Sequence, residues 1–356
     1  MPDRQNVVER FAREAMLYES LPDGKVRCGL CSHRCVIPAG NYGICQVRQN
    51  EGGRLHTLVY GRVIARHVDP VEKKPLFHFF PGSLAYSLAA PGCNFRCPWC
   101  QNWEISQTPR QQGGVVGEEV APEEIVRDAR SRVCRSIAYT YTEPTIFCEY
   151  ARDVARLADA ACIHNVMVTN GYMTRSMLEK FHPYLDAANV DLKAFRDATY
   201  RKYVGGRLQP VLDNLETMRR LGVWLEVTML IIPGLNDDEA ELRDAAQFIA
   251  ERLGPQTPWH LSRFYPAYQM STTLPTPLAT LKRAQEIGRE AGLRYVYLGN
   301  VPGQADTRCH QCGASLIRRS AAGVVDDSVT REGRCPECRT PVAGVGMGGN
   351  FGGAEQ

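Results

Sequence analysis

The stretch AYSLAAPGCNFRCPWC, residues 85–100, runs from a short apolar segment into a loop with three cysteines. Read as a strand, residues 85–90 deliver Cys93, Cys97 and Cys100 to the strand's C-terminal end in a C-x3-C-x2-C pattern. Parallel barrels and open α/β sheets build their sites on that face. Three thiols are one fewer than a closed tetrahedral metal site takes. A four-iron cube held by three thiolates leaves one iron open to a ligand that is not a side chain.

Outward from this loop the pattern alternates. The apolar runs SIAYTYT (136–142), NVMVTN (165–170), AANVDLK (187–193), LEVTMLII (225–232), WHLSRFY (259–265) and YVYLG (295–299) follow in turn. Between them lie stretches with apolar residues at three- and four-residue steps, such as PEEIVRDARSRV and LQPVLDNLETMRRLG. Strand–helix alternation of this length predicts a parallel sheet, either an open doubly wound sheet or a full or partial barrel. The alternation divides the chain into a cysteine-containing segment 1–84, a core unit 85–300, a module 301–347 and a tail 348–356. The glycine-rich end from residue 344 onward is expected to be disordered.

The composition is that of a globular protein with a sizeable core: 44% of residues are hydrophobic and 23% charged. A net charge of +3 gives no indication of an obligatory nucleic-acid or membrane partner. The first residues lack the apolar segment of a secretory signal, and no apolar run is long enough to span a bilayer. The expected compartment is therefore the cytoplasm, where grouped cysteines read as metal ligands.

Eleven of the fourteen cysteines fall in three groups. Cys309/Cys312 and Cys335/Cys338 form two C-x2-C knuckles, the spacing of a closed structural zinc ribbon whose metal would supply folding energy. Cys28, Cys31, Cys35 and Cys45 form C-x2-C-x3-C-x9-C, with Gly40 and Gly43 available for the return turn. This group suits zinc or a second [4Fe–4S] cluster, and spacing does not decide between them. His33 is a further possible ligand there, or a surface residue. Cys134, Cys148 and Cys162 read as buried small hydrophobes within helical patterns.

Four polar residues stand at the ends of successive apolar runs: Glu143 in YTYTEP, Asn170 in VTNG, and Asp191 and Lys193 in VDLK. Asp191 and Lys193 are two apart and so share a face. Each has a plainer reading, Glu143 as a helix-start charge and Asp191/Lys193 as a structural ion pair.

The cysteine loop, with Trp99 immediately before its last cysteine, resembles that of radical S-adenosylmethionine (radical SAM) enzymes. TEP, TNG and DLK in that order resemble the glycyl-radical-enzyme activases. The longer phrases DPVEKKPLFHFFPGS, GCNFRCPWCQNWEISQ, YTYTEPTIFCEY, NVDLKAF and YVYLGNVPG resemble the radical enzyme of the AmmeMemoRadiSam system across nearly the whole chain.

The resemblance implies an α/β fold, a partial (βα)6-type barrel with small metal-binding appendages at both ends. It implies a [4Fe–4S] cluster on Cys93, Cys97 and Cys100 with S-adenosylmethionine on the open iron. Trp99 would lie against the adenine, and Glu143, Asn170, Asp191 and Lys193 would orient the cofactor. A reduced flavodoxin or ferredoxin would supply the electron, and the substrate would be a protein, a nucleotide or a small molecule. Two departures from the activases stand out. Val168 occupies the position where they often carry a carboxylate, and SRFYPAY lacks their nearby histidine. Outside enzymes, the rival reading is an iron–sulfur electron carrier or scaffold, which would normally close its cube with a fourth cysteine.

Overall fold

The computed structural model describes residues 12–303 and 305–349. Eight strands form one sheet: β1 (Ala65–Pro70), β2 (Leu84–Ala89), β3 (Ser136–Tyr139), β4 (His164–Thr169), β5 (Ala187–Asp191), β6 (Trp224–Ile231), β7 (Trp259–Arg263) and β8 (Val296–Gly299). Their order is β8-β7-β6-β5-β4-β3-β2-β1. Strands β2 to β8 are parallel and β1 joins β2 antiparallel. The sheet is open, with β1 and β8 at its edges. It is a partial barrel of the α/β class, as expected, but with seven parallel strands where a (βα)6 barrel has six. The seven are the seven apolar runs of the sequence.

The central strands are buried along almost their whole length, as β-rich segments covered by helices must be. The helices that cover them are α1 (Pro122–Ser131), α2 (Cys148–Ala160), α3 (Arg175–Phe181), α4 (Gln209–Arg220), α5 (Glu239–Phe248) and α6 (Leu278–Glu290). Local chemistry starts several of them. Pro122 opens α1 with Glu123 and Glu124 in its first turn. The side chains of Thr174 and Asp238 cap α3 and α5 by accepting from the backbone N–H three residues on.

The sheet begins at residue 65, twenty residues before the apolar alternation does. Strand β1, ARHVDP, is a half-buried edge strand, and such strands carry polar and charged residues in place of an apolar run. The segment before it holds two small antiparallel sheets: residues 13–14, 54–57 and 48–51 in one, 18–20, 26–28 and 36–37 in the other.

Residues 75–80 cross the starts of the strands and close that end of the barrel. The fully buried Glu226 of β6 anchors them, accepting from the backbone N–H groups of Phe77 (3.0 Å) and His78 (2.7 Å). It also accepts from Trp224 Nε1 at 3.1 Å and pairs with His260 Nε2 at 2.6 Å.

The C-terminal module packs on the same end. Its strands β9 (Thr307–Arg308), β10 (Ser315–Ser320) and β11 (Gly323–Asp327) form an antiparallel sheet. Buried Arg319 reaches from β10 to the carbonyl of Phe77 at 2.8 Å. The glycine-rich run, expected to be disordered, is ordered from 344 to 349: Val345 N–H donates to His78 O, and Phe80 N–H to Val345 O, both at 2.8 Å. Gly344 has φ +154°, and a Cβ there would stand 2.6 Å from the His78 carbonyl, so the glycines permit the docking. The remainder of the expected tail, residues 350–356, lies outside the described residues.

Cys134 and Cys148 are buried, as expected of small hydrophobes. Cys162 is not: it is exposed in the turn after α2, at φ +58°. Among the described residues no helix is long and apolar enough to cross a membrane.

Candidate active site

With the strand starts closed, the strand ends open into a cavity of about 360 Å³. Cys93, Cys97, Cys100 and Trp99 line it from the loop after β2. Glu143 lines it from the end of β3, Asn170 from the end of β4, and Asp191 and Lys193 from the end of β5. Every site residue expected around the three-cysteine loop thus faces one space.

The loop is fixed by its own backbone. Gly92 N–H donates to Ile105 O and Arg96 N–H to Val204 O, both at 3.0 Å. Phe95 N–H points at Cys93 Sγ (3.3 Å), and Ser106 Oγ lies 3.3 Å from Cys100 Sγ. Burial pushes the Cys97 thiol up to about 12, with the nearby Lys193 ammonium working against the rise. Burial, then the charge of Glu143, holds Cys93 well above the ordinary thiol range. These sulfurs keep their protons until a cation displaces them.

Glu143 is almost fully buried and heavily used. Its Oε1 accepts from Thr145 N–H (3.0 Å), Thr145 Oγ1 (2.5 Å) and Thr169 Oγ1 (2.7 Å), and its Oε2 from Asn170 N–H (2.8 Å). Burial raises its pKa and these donors oppose the rise. Glu143 therefore caps the 144–147 turn, the plainer reading, and ties β3 to β4 while presenting an edge to the cavity. The Asn170 side chain is also engaged: Nδ2 donates to Asn94 Oδ1 at 2.7 Å, and Oδ1 accepts from Tyr172 N–H at 3.0 Å. That bond joins the β4 end to the cysteine loop.

Lys193 Nζ pairs with Asp191 Oδ2 at 2.7 Å. Burial would lower the lysine's pKa, but the charge and hydrogen bond of Asp191 outweigh it and hold the ammonium charged. His33 is half-buried. It stands against Tyr172, with its Nε2 at 2.8 Å from Asn94 O, behind the loop.

Some lining groups carry no signal in the sequence. Thr228 of β6 faces the cavity, and its buried Oγ1 has no partner among the described residues. Buried Lys74 also lines it, paired with Asp69 at 2.8 Å and lying over the Tyr141 ring at 4.6 Å. The KK doublet at 73–74 was the single hint of Lys74, and a threonine within an apolar strand offers none.

A model of the radical SAM superfamily matches residues 88–246, from the end of β2 through the cavity-lining ends of β3, β4 and β5. The chain belongs to the radical SAM superfamily. It is an enzyme.

An uncharacterised protein of Methanocaldococcus jannaschii is 45% identical over 309 residues, which cover 86% of this chain and 91% of that protein. The benzylsuccinate synthase activating enzyme of Thauera aromatica is 25% identical over 144 residues, covering 38% of this chain and 44% of that enzyme. The crystal structure of a radical SAM methyltransferase from Sphaerobacter thermophilus superimposes with a TM-score of 0.48 at 16% identity, over 62% of this chain and 67% of that one.

Membership of the radical SAM superfamily implies a [4Fe–4S] cluster and S-adenosylmethionine, and the donor set fits both. The three thiols, Cys97 buried and Cys93 and Cys100 half-buried, line one cavity and leave one corner of a cube to a ligand that is not a side chain. Thr228 Oγ1 at the cavity and Asn94 Nδ2 in its loop are buried polar atoms without partners among the described residues, as sites completed by a polar ligand leave them. The C-terminal cysteines form a separate metal-competent group, all four sulfurs lying within 4.8 Å of one another.

Proposed function

We propose that this radical SAM enzyme belongs to the AmmeMemoRadiSam subgroup, and that Cys93, Cys97 and Cys100 hold its catalytic [4Fe–4S] cluster. One observation carries the site assignment: the three loop sulfurs and four strand-end polar residues line a single cavity at the sheet's C-terminal face. The subgroup reading rests on the long phrases shared across the chain. Once bound, the cluster and S-adenosylmethionine supply a one-electron cleavage that yields a 5′-deoxyadenosyl radical for hydrogen abstraction.

The chain's own residues bind and orient. Trp99, 3% exposed, gives an apolar wall suited to the adenine. The Lys193 ammonium, with Asp191, offers a charged pair to the cofactor's carboxylate and ribose. The remaining edge of Glu143 would take its ammonium, and Asn170 holds the loop against the β4 end. The donor would be a reduced flavodoxin or ferredoxin, and the C-terminal cysteines would hold structural zinc.

An activase function is the second reading, favoured by the similarity to the benzylsuccinate synthase activating enzyme. Against it, Val168 lines the cavity where activases often place a carboxylate. Reduced, reconstituted protein should form 5′-deoxyadenosine from S-adenosylmethionine without any glycyl-radical partner; no product at any cofactor concentration would refute the proposal.

Lys193→Met separates cofactor binding from structure. Loss of a charge-assisted hydrogen bond costs roughly 1.5–3 kcal/mol, a ten- to hundredfold weaker dissociation constant. The Asp191 side chain left behind is 34% exposed, so water can solvate it and stability should fall by less than about 1 kcal/mol. Isothermal titration and thermal melting on one anaerobic preparation read both. Unchanged affinity with a large loss of stability would remove Lys193 from the site.

A further inference from the structure

Eight thiols outside the candidate active site are grouped in fours, and the two groups differ in spread. In the C-terminal group Cys309 and Cys338 sulfurs stand 3.5 Å apart, and those of Cys312 and Cys335 3.7 Å. A tetrahedral zinc with bonds of about 2.3 Å spaces its thiolates by roughly 3.8 Å, so this group has the span of a single ion. Among the described residues no other set of three candidate ligand atoms lies within 4.8 Å of one another. The loop of Cys93, Cys97 and Cys100 fails that limit, as thiolates on separate corners of an iron–sulfur cube would. Cys28, Cys31, Cys35 and Cys45 fail it too.

These four are nevertheless one cluster. Each of the other three sulfurs lies within electrostatic range of Cys31, and Cys28 N–H donates to Cys35 O at 2.9 Å. Cys28 is buried and the others half-buried, and Cys28, Cys35 and Cys45 pack on the main core. Arg48, 1% exposed, lies within electrostatic range of the sulfurs of Cys28, Cys35 and Cys45. Its Nη2 meets Glu149 at 2.6 Å, but among the described residues its Nε and Nη1 have no partner. Two idle donors on a buried guanidinium beside four thiols call for acceptors beyond Glu149. A cube bound by four thiolates supplies them, since its sulfurs accept hydrogen bonds.

The cluster also abuts the catalytic loop. Arg110 Nη2 donates to Ile44 O at 2.8 Å and to Cys93 O at 3.4 Å, joining the two cysteine segments through one guanidinium. Gly92, at φ +105°, lets them approach: a Cβ there would stand 2.9 Å from Val47 Cγ1 and 3.4 Å from Cys45 O.

We infer that Cys28, Cys31, Cys35 and Cys45 bind a second [4Fe–4S] cluster, closed by four thiolates and seated against the loop that carries Cys93. This site is independent of the S-adenosylmethionine reading above, and so is its test. The full-length chain is reconstituted anaerobically with iron and sulfide and its metals counted, alongside a Cys93→Ala/Cys97→Ala/Cys100→Ala variant. The wild type should carry about eight irons and the variant about four. The variant's reduced paramagnetic signal should ignore S-adenosylmethionine.

Should the loop variant fail to fold, Cys31→Ser/Cys45→Ser provides the converse: iron falls from about eight to about four, and the remaining signal responds to the cofactor. Four irons with two zincs in the wild type, or an iron-free loop variant that is folded, would overturn the inference. Eight irons with no cofactor response in any protein would leave this inference standing and refute the proposed function.

Discussion

Cys97→Ala should lose cleavage of S-adenosylmethionine to 5′-deoxyadenosine by at least a thousandfold, to the background of the assay. Cys97 is one of three thiols facing the cavity, 8% exposed, and its sulfur stays protonated near neutral pH until a metal displaces the proton. Two thiolates cannot fix a cube in the orientation that presents its open iron to the cofactor. The effect should be confined to the cluster. The loop is also held by Gly92 N–H to Ile105 O and Arg96 N–H to Val204 O, which the substitution leaves intact. Metal-free wild type and variant should therefore melt within a few degrees of each other. Retained cleavage in the variant would move the catalytic centre elsewhere.

Glu226→Leu should cost roughly 3–5 kcal/mol of stability, the scale seen when one partner of a buried ion pair is removed. The leucine strands four donors: the N–H groups of Phe77 and His78, the indole of Trp224 and the ring of His260. It also frees residues 75–80, and with them the contact that Arg319 makes to Phe77 O. The pH dependence follows the carboxylate. Burial raises the Glu226 pKa, but the hydrogen bond and charge of His260 outweigh that and hold it below the ordinary value. A depressed folded pKa gives stability that is present above the unfolded pKa of about 4.5 and is lost as pH falls through the folded one. Metal-free wild type should thus lose stability in acid, and Glu226→Leu should lose less over the same range. A denaturant titration at pH 7 and at pH 4 reads both. A variant as stable as wild type at pH 7 would show that the strand starts are closed by other contacts.

The sequence made the reactive end of the molecule far more legible than the closed end. The cysteine loop, Glu143, Asn170, Asp191 and Lys193 could be read because each follows an apolar run, and a parallel sheet brings all such ends to one face. Glu226 sits inside LEVTMLII, where a lone acid looks like an interruption of a strand. Its partners His78, His260 and the 75–80 backbone are far away in sequence, so no local pattern marks the network. Strand β1 was hidden by its polar edge composition, and the docking of Val345 by a glycine-rich context without periodicity. The metal of the N-terminal cysteines is likewise a matter of distance, since the spacing of Cys28, Cys31, Cys35 and Cys45 suits either zinc or a cluster.

The central claim is that S-adenosylmethionine binds the open iron of a cluster held by Cys93, Cys97 and Cys100. Paramagnetic resonance of the reduced, reconstituted protein tests it most directly, recorded before and after the cofactor is added. Binding at the cluster itself should change the g-values and line shape of the signal that depends on these three cysteines. An unchanged signal at saturating cofactor would contradict the account.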